Sequence, residues 1–332
     1  MNVLAGDIGG TKTLLLIAEC RGRDCSALFE RRYASTAYPG LTPMVQAFLS
    51  AAGKAGRGLS GDCFAVAGPV TTSAQGQYAK TTNLPWEIDQ RALSAALGIP
   101  RLRLINDFQA VGYGIEALEP QDLEVLQRGL AQPGGPRAVL GAGTGLGTGL
   151  LLWQGDHYEA LPSEGGHADF APCDEQQIEL LRYLRREHEH VSWERVLSGP
   201  GLVSVYSFLR DTGRTRESPA LRRAMQRGDA AAVISRYALA GRDPLADQAL
   251  DLFVRLYGAQ AGNVALSFLA TGGVYFAGGI AAKIIERLRA GALVRAFNDK
   301  GRMAPLLAST PLQVILNPRV GLLGAALAAS RL

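Results

Sequence analysis

The sequence predicts an α/β fold made of two related halves, and three observations predict it. At 332 residues the chain is too long for one small core, and its length favours about two domains. Glycine is abundant, with 40 residues, and alanine is frequent, which suits many tight strand-to-helix turns. A Gly/Thr-tipped hairpin over residues 6–16 recurs in altered form over residues 141–152. The repeat predicts two α/β halves facing each other.

The elements follow in order. Residues 3–6 read as a short apolar strand, Gly9-Gly10 as a turn, residues 13–18 as a second apolar run and residues 28–33 as a third strand. Residues 41–52 show helical spacing, with Leu41, Val45, Phe48 and Leu49 on one face. Residues 63–67 read as a buried strand closed by Gly68-Pro69. Asp89 caps a helix running to about residue 97, where Gly98-Ile99-Pro100 stops it. Residues 102–105 form a further strand ending in Asn106-Asp107. The Pro/Gly run at 132–136 is a surface loop. Beyond it come a strand at 138–140, a Gly/Thr turn at 141–145 and a strand at 147–153. After residue 175 the pattern is mostly helical, apart from strands at 274–277 and 312–316, and it closes on an amphipathic helix from 321 to about 330.

Composition excludes several classes of function. The net charge of +4 is small and spread along the chain. Basic stretches at 182–186 and 214–216 alternate with acids and read as solvated faces, without the clustered stripe a nucleic-acid partner needs. The four cysteines, Cys20, Cys25, Cys63 and Cys173, form no C-x-x-C pair and are expected to be free thiols in a reducing compartment. The first residues lack the basic region of a signal peptide, and no apolar run approaches the ~20 residues of a membrane helix. A cytoplasmic protein is expected.

The glycine turns carry the first chemistry. Residues 6–13 nearly match a P-loop, but Thr11 stands where glycine must precede Lys12, and the turn leads into a strand instead of a helix. Neither turn contains G-x-G-x-x-G. One such turn reads as a tight hairpin. Two of them, with backbone N–H groups in a concavity, can hold a polyphosphate, and the acid Asp7 can hold Mg²⁺ through its waters. An acid buried at a strand end is costly without such a partner.

These motifs resemble known proteins. Residues 4–13 and 139–149 are similar to the two phosphate motifs of the actin-like sugar kinase (hexokinase) superfamily. Ile105-Asn106-Asp107-Phe108, the segment 161–172 around Glu164-Gly165-Gly166-His167, and Glu194-Arg195-Val196-Leu197-Ser198-Gly199-Pro200-Gly201 look like the bacterial glucokinases of the non-ROK type. Phe276-Ala277-Gly278-Gly279-Ile280 is similar to that family's adenosine motif, and the resemblance covers nearly the whole chain in order. Only one cysteine, Cys173, follows Glu164-Gly165-Gly166-His167, which argues against the zinc-bearing ROK kinases.

The resemblance implies two actin-like (ribonuclease H-like) domains with a substrate cleft between them. The small one would hold residues 1–116 and 318–332, and the large one residues 117–317. It implies a homodimer that phosphorylates glucose on its 6-hydroxyl with Mg-ATP, at the entry to glycolysis. Asp107 would be the catalytic base, kept ionised by the helix it starts. Asn106, Asp107, Glu164, His167 and Glu194 would bind sugar hydroxyls, with Asn83 beside them. Gly6, Asp7, Ile8, Gly9, Gly10, Thr11, Gly143, Thr144 and Gly145 would hold the phosphates, and Gly278 and Gly279 would border adenosine. The residues alone leave blander readings in place: an N-cap for Asn106-Asp107, a structural His167, and a first-turn charge for Glu194. Lys12 receives no catalytic role. Trp86 suits packing, and His188 and His190, two apart, suit solvated surface.

Overall fold

The computed structural model describes residues 1–213 and 215–332; Arg214, part of the basic stretch at 214–216, lies outside the described residues. The chain divides into two compact units, one of Met1–Asp122, Asp156–Pro162 and Asn317–Leu332, the other of Leu123–Gly155 and Ser163–Leu316.

In the first unit, β1 (Asn2–Ile8) and β2 (Lys12–Arg21) pair antiparallel around the first glycine turn, and β3 (Asp24–Ala34) extends the meander. Helix α1 (Leu41–Ala52) buries Leu41, Met44, Val45 and Phe48, so Met44 completes the face on which Leu49 was expected. Strand β4 (Gly61–Val66) lies parallel to β1 and is buried throughout, as a strand covered on both faces must be. Strands β5 (Val70–Ser73), β6 (Gly76–Lys80) and β7 (Glu87–Asp89) form a small antiparallel sheet that the sequence did not announce. Most of their side chains are exposed, so no apolar alternation marks them.

Helix α2 (Gln90–Leu97) starts where the Asp89 carboxylate accepts the Ala92 N–H at 2.8 Å and stops at the left-handed Gly98. Strand β8 (Leu102–Asn106) runs parallel to β4 and leads straight into α3 (Asp107–Gly114). The main sheet has the order β3-β2-β1-β4-β8.

The C-terminal helix (Val320–Ser330) packs on β1, β4 and α3. It was expected to be amphipathic. Instead Val320, Leu322, Leu327 and the glycines and alanines between them are buried around the whole helix, because it is wedged between the sheet and α3. At the crossing a Cβ on Gly324 would sit 1.8 Å from the Ala110 carbonyl oxygen, so the two backbones touch where only glycine fits.

A second correction concerns the cysteines. Cys20 and Cys25 occupy directly opposed positions on β2 and β3 and are joined by a disulfide, whereas Cys63 and Cys173 are free. The expectation of four free thiols fails because the tight β2–β3 connection folds positions five apart onto each other.

The second unit begins with β9 (Leu123–Gln127), β10 (Arg137–Ala142) and β11 (Leu146–Trp153); β12 (Tyr158–Ser163) follows, counted to the first unit up to Pro162. Helices α4 (Glu175–Leu184), α5 (Gly199–Asp211), α6 (Pro219–Gln226), α7 (Ala230–Leu239) and α8 (Pro244–Phe268) come next. Then come β13 (Gly273–Ala277), α9 (Gly278–Lys283), α10 (Ile285–Arg289), α11 (Ala292–Asn298), α12 (Ala304–Ala308) and β14 (Leu312–Ile315).

Strands β11-β10-β13-β14-β9 lie side by side, with β10, β13 and β14 parallel. Helix α8 runs through the core of this unit. Its Tyr257 hydroxyl donates to the Leu140 carbonyl at 3.3 Å and accepts the Ala142 N–H at 3.2 Å, which fixes the end of β10. Among the described residues no helix is long and apolar enough to cross a membrane.

Candidate active site

The first glycine turn is closed by its own backbone. The Gly9 N–H donates to the Lys12 carbonyl at 3.0 Å, and the Ser35 hydroxyl donates to the Gly9 carbonyl at 2.7 Å. The N–H groups of Gly10 and Thr11 have no backbone acceptor among the described residues. Of the residues expected to hold phosphate, Gly6 and Ile8 are buried in β1 itself; a Cβ on Gly6 would meet Phe64 at 2.5 Å. They position the turn from beneath. Asn83 stands beside the turn, close enough that a Cβ on Gly10 would lie 2.6 Å from its own Cβ, while Trp86 is buried in the core. Ser35 offered no motif and was missed.

At the same end of the sheet, where the parallel strand β8 finishes, Asn106 caps α3. Its Oδ1 accepts the Phe108 N–H at 2.8 Å and its Nδ2 donates to the Gly68 carbonyl at 3.2 Å, while Gln109 bonds back to the Asn106 N–H. The cap reading therefore holds for Asn106. Asp107 is the first helical residue, and its Oδ1 accepts the Phe108 N–H at 2.9 Å.

The helix start favours the ionised form of Asp107, but burial, helped by the charge of Asp7, pushes the Asp107 carboxyl up to about 6 against the opposing hydrogen bonds. Burial likewise raises Asp7, with Lys12 opposing. Two desolvated carboxyls, of which Asp7 raises the proton affinity of Asp107, form an oxygen-rich, anionic spot, and that donor set fits a hard divalent cation such as Mg²⁺.

In the second unit, the Gly143 N–H donates to the Gly145 carbonyl at 2.8 Å and the Gly143 carbonyl accepts the Gly199 N–H at 2.8 Å. The second turn is thus closed like the first and tied to the start of α5. Thr144 and Gly145 keep N–H groups without a backbone acceptor among the described residues.

Glu194 lies in a single 3-10 turn and does not open a helix. Its Oε2 accepts the Leu146 N–H at 2.9 Å, just past the turn, and its Oε1 stands 3.9 Å from His167 Nδ1. On the far side, His167 Nε2 is 3.8 Å from Glu164 Oε2. Glu164, Glu194 and His167 therefore converge, with His167 61% exposed and able to meet a ligand. The Glu164–His167 segment folds as one 3-10 turn over Gly165–His167. His190 pairs with Asp169 at 2.7 Å on the surface.

Beside the second turn lies a cavity of about 540 Å³ between the starts of α5, α7 and α9. Gly143, Thr144 and Gly279 line it at one end, and Leu202, Val203, Ala231 and Ile280 give it apolar walls. Gly278 has a φ of +83°, and a Cβ there would approach the Ala142 carbonyl to 2.7 Å, so glycine lets α9 start tight against β10. Leu202, Val203, residues 229–232, Ser235 and Lys283 were not singled out from the sequence. They come from three helices and share no motif.

Known proteins resemble the chain over its whole length. The family model described as Glucokinase matches residues 4–332. A glucokinase of Nostoc sp. is 48% identical over 99% of both chains, and one of Tolumonas auensis is 38% identical over 97% of this chain and 95% of its own. Among solved structures, a glucokinase from an Antarctic psychrotroph superposes with a TM-score of 0.86 at 28% identity, covering 100% of this chain and 99% of its own. A Balamuthia mandrillaris glucokinase, solved in complex with glucose, shares the fold with a TM-score of 0.78 at 22% identity, covering 99% of this chain and 93% of its own.

Proposed function

The chain belongs to the glucokinase family and has the actin-like fold of sugar kinases, and from that premise we propose that it transfers the γ-phosphoryl group of ATP to the 6-hydroxyl of glucose. The full-length family match carries this reading. The roles follow from the chemistry of the residues.

Asp107 is the general base. As the 6-oxygen forms its bond to the γ-phosphorus and the bond to the β,γ-bridging oxygen breaks, the hydroxyl proton passes to the Asp107 carboxylate. A carboxylate of ordinary acidity is a weak base, and one raised to about 6 takes the proton more readily while remaining mostly ionised at neutral pH.

Glu164, Glu194 and His167 accept and donate hydrogen bonds to sugar hydroxyls, and Asn83 and Asn106 are assigned the same role. A site with several such partners rejects analogues that lack a hydroxyl, because its own groups are then left unpaired. The N–H groups of Gly10, Thr11, Thr144 and Gly145 hold phosphate oxygens, and Gly278 and Gly279 flank the adenosine. Asp7 would hold Mg²⁺ through water, and the ion, when bound, neutralises charge on the phosphate oxygens. ATP as donor accords with a cytoplasmic enzyme feeding glycolysis.

The test is MgATP-dependent phosphorylation of glucose, mannose, fructose and N-acetylglucosamine, with Asp107→Asn alongside. Glucose is expected to be the preferred substrate. The variant should lose about 10²–10⁴-fold in kcat while still binding ADP. Near-wild-type turnover by Asp107→Asn would sink the assigned base, and preference for another sugar would move the substrate.

A further inference from the structure

The cavity beside the second turn is nearly empty of charge. Among the described residues, Lys283 is the one cation that lines it, and Asp229 the one acid. Asp229 is engaged as the cap of α7, where its Oδ1 accepts the Ala232 N–H at 3.2 Å. Lys283 is exposed and has no ion-pair partner among the described residues. The turn at residues 141–145 supplies backbone dipoles but no cationic side chain.

Helix α9 starts against Ala142, at the turn, and Lys283 ends it. Five residues of helix carry its Cα ~7.5 Å along the helix axis from Gly278. A flexible lysine side chain spans most of that rise, and side chains on a helix tilt toward its N-terminus. Its ammonium can therefore approach the point where a phosphate chain held by the turn would join a nucleoside lying between the apolar walls.

We infer that Lys283 binds the phosphate chain of the donor nucleotide next to the ribose, so that this unit recognises a nucleoside di- or triphosphate by charge. The inference rests on the reading that the cavity holds the nucleotide of the kinase reaction. An uncompensated polyanion would be unfavourable in a pocket whose other polar groups are a capped acid and neutral hydroxyls. One exposed, mobile cation is the complement the pocket offers.

The experiment compares wild type, Lys283→Gln and Lys283→Arg by calorimetry with ADP and with adenosine, and by steady-state kinetics. Lys283→Gln should weaken ADP binding and raise KM for ATP about tenfold, as the loss of one charge-assisted contact implies. Adenosine binding and KM for glucose should stay unchanged. Lys283→Arg should restore most of the loss, and the gap between wild type and Lys283→Gln should narrow as KCl is raised. Unchanged ADP binding in Lys283→Gln overturns the inference, as does an equal loss of adenosine binding, which would make Lys283 a wall of the nucleoside pocket. Failure of the wild type to bind ADP at all, or ADP binding unaffected by a bulky Ala231→Trp substitution in the apolar wall, overturns the nucleotide assignment of the cavity itself.

Discussion

Asp107 shows how two opposing influences on one carboxyl are settled. The start of α3 and its N–H groups favour the charged form, whereas burial and the neighbouring Asp7 disfavour it, and the second pair prevails. The base form is lost as pH falls through that value. The kcat/KM for glucose should therefore show a single-proton acid limb with a midpoint at about 6. Asp7→Asn removes one of the two raising influences, so its residual activity should show the limb at lower pH. A limb that stays at the same pH in Asp7→Asn would mean that Asp7 does not act on Asp107. At this scale the sequence was informative about type and position, since Asp107, Glu164, His167 and Glu194 were all singled out from their motifs. It was silent on Ser35, which reaches the first turn through packing of a distant segment, and on Lys283, which lines the cavity. It gave no sign of the raised Asp107 carboxyl, because burial is a property of the surroundings and cannot be read from the residue.

Among the elements, β4 carries an unresolved cost. Asp62 is fully buried, and neither carboxylate oxygen has a hydrogen-bond partner among the described residues. Burial pushes its carboxyl up to about 8. The folded form thus binds a proton that the unfolded chain releases at ordinary carboxylate pH. Stability should fall as pH rises from about 4 to about 8 and level off above, once both states are ionised. Asp62→Asn should gain over wild type across that window, by on the order of a few kcal/mol at its alkaline end. Urea denaturation at pH 5 and pH 9 checks this; an equal difference at both pH values would rule it out. The same strand shows what patterning can reveal. Its apolar run made β4 legible, and the spacing of Leu41, Val45 and Phe48 gave α1 its observed limits. The exposed β5, β6 and β7 had no such run. The disulfide between Cys20 and Cys25 depends on strand register, which spacing alone does not specify.

At the scale of the whole molecule, the first unit is not contiguous in sequence. Its sheet comes from the start of the chain, while the helix that covers β1, β4 and α3 comes from its last residues. The second unit lies almost wholly between them. A chain ending at residue 316 should therefore lose slow amide exchange in β1, β4 and α3 but keep it in β10, β13 and α8. Retained protection of β1 and β4 in that truncated chain would show that the C-terminal helix is dispensable to the sheet. The recurring hairpin announced two halves; nothing local announced that the final helix would be buried on every side, since its alanines and glycines fit a surface helix as well as a wedge.

This threading also has a consequence in time. A growing chain releases β1, β4 and α3 early, yet the helix that seals them is about two hundred residues behind. At ~5–20 residues per second, that leaves the apolar back of the first sheet wet for ~10–40 s of every synthesis. The half of the protein that is made first is completed last, and during that interval its aggregation risk depends on whatever shields the nascent sheet.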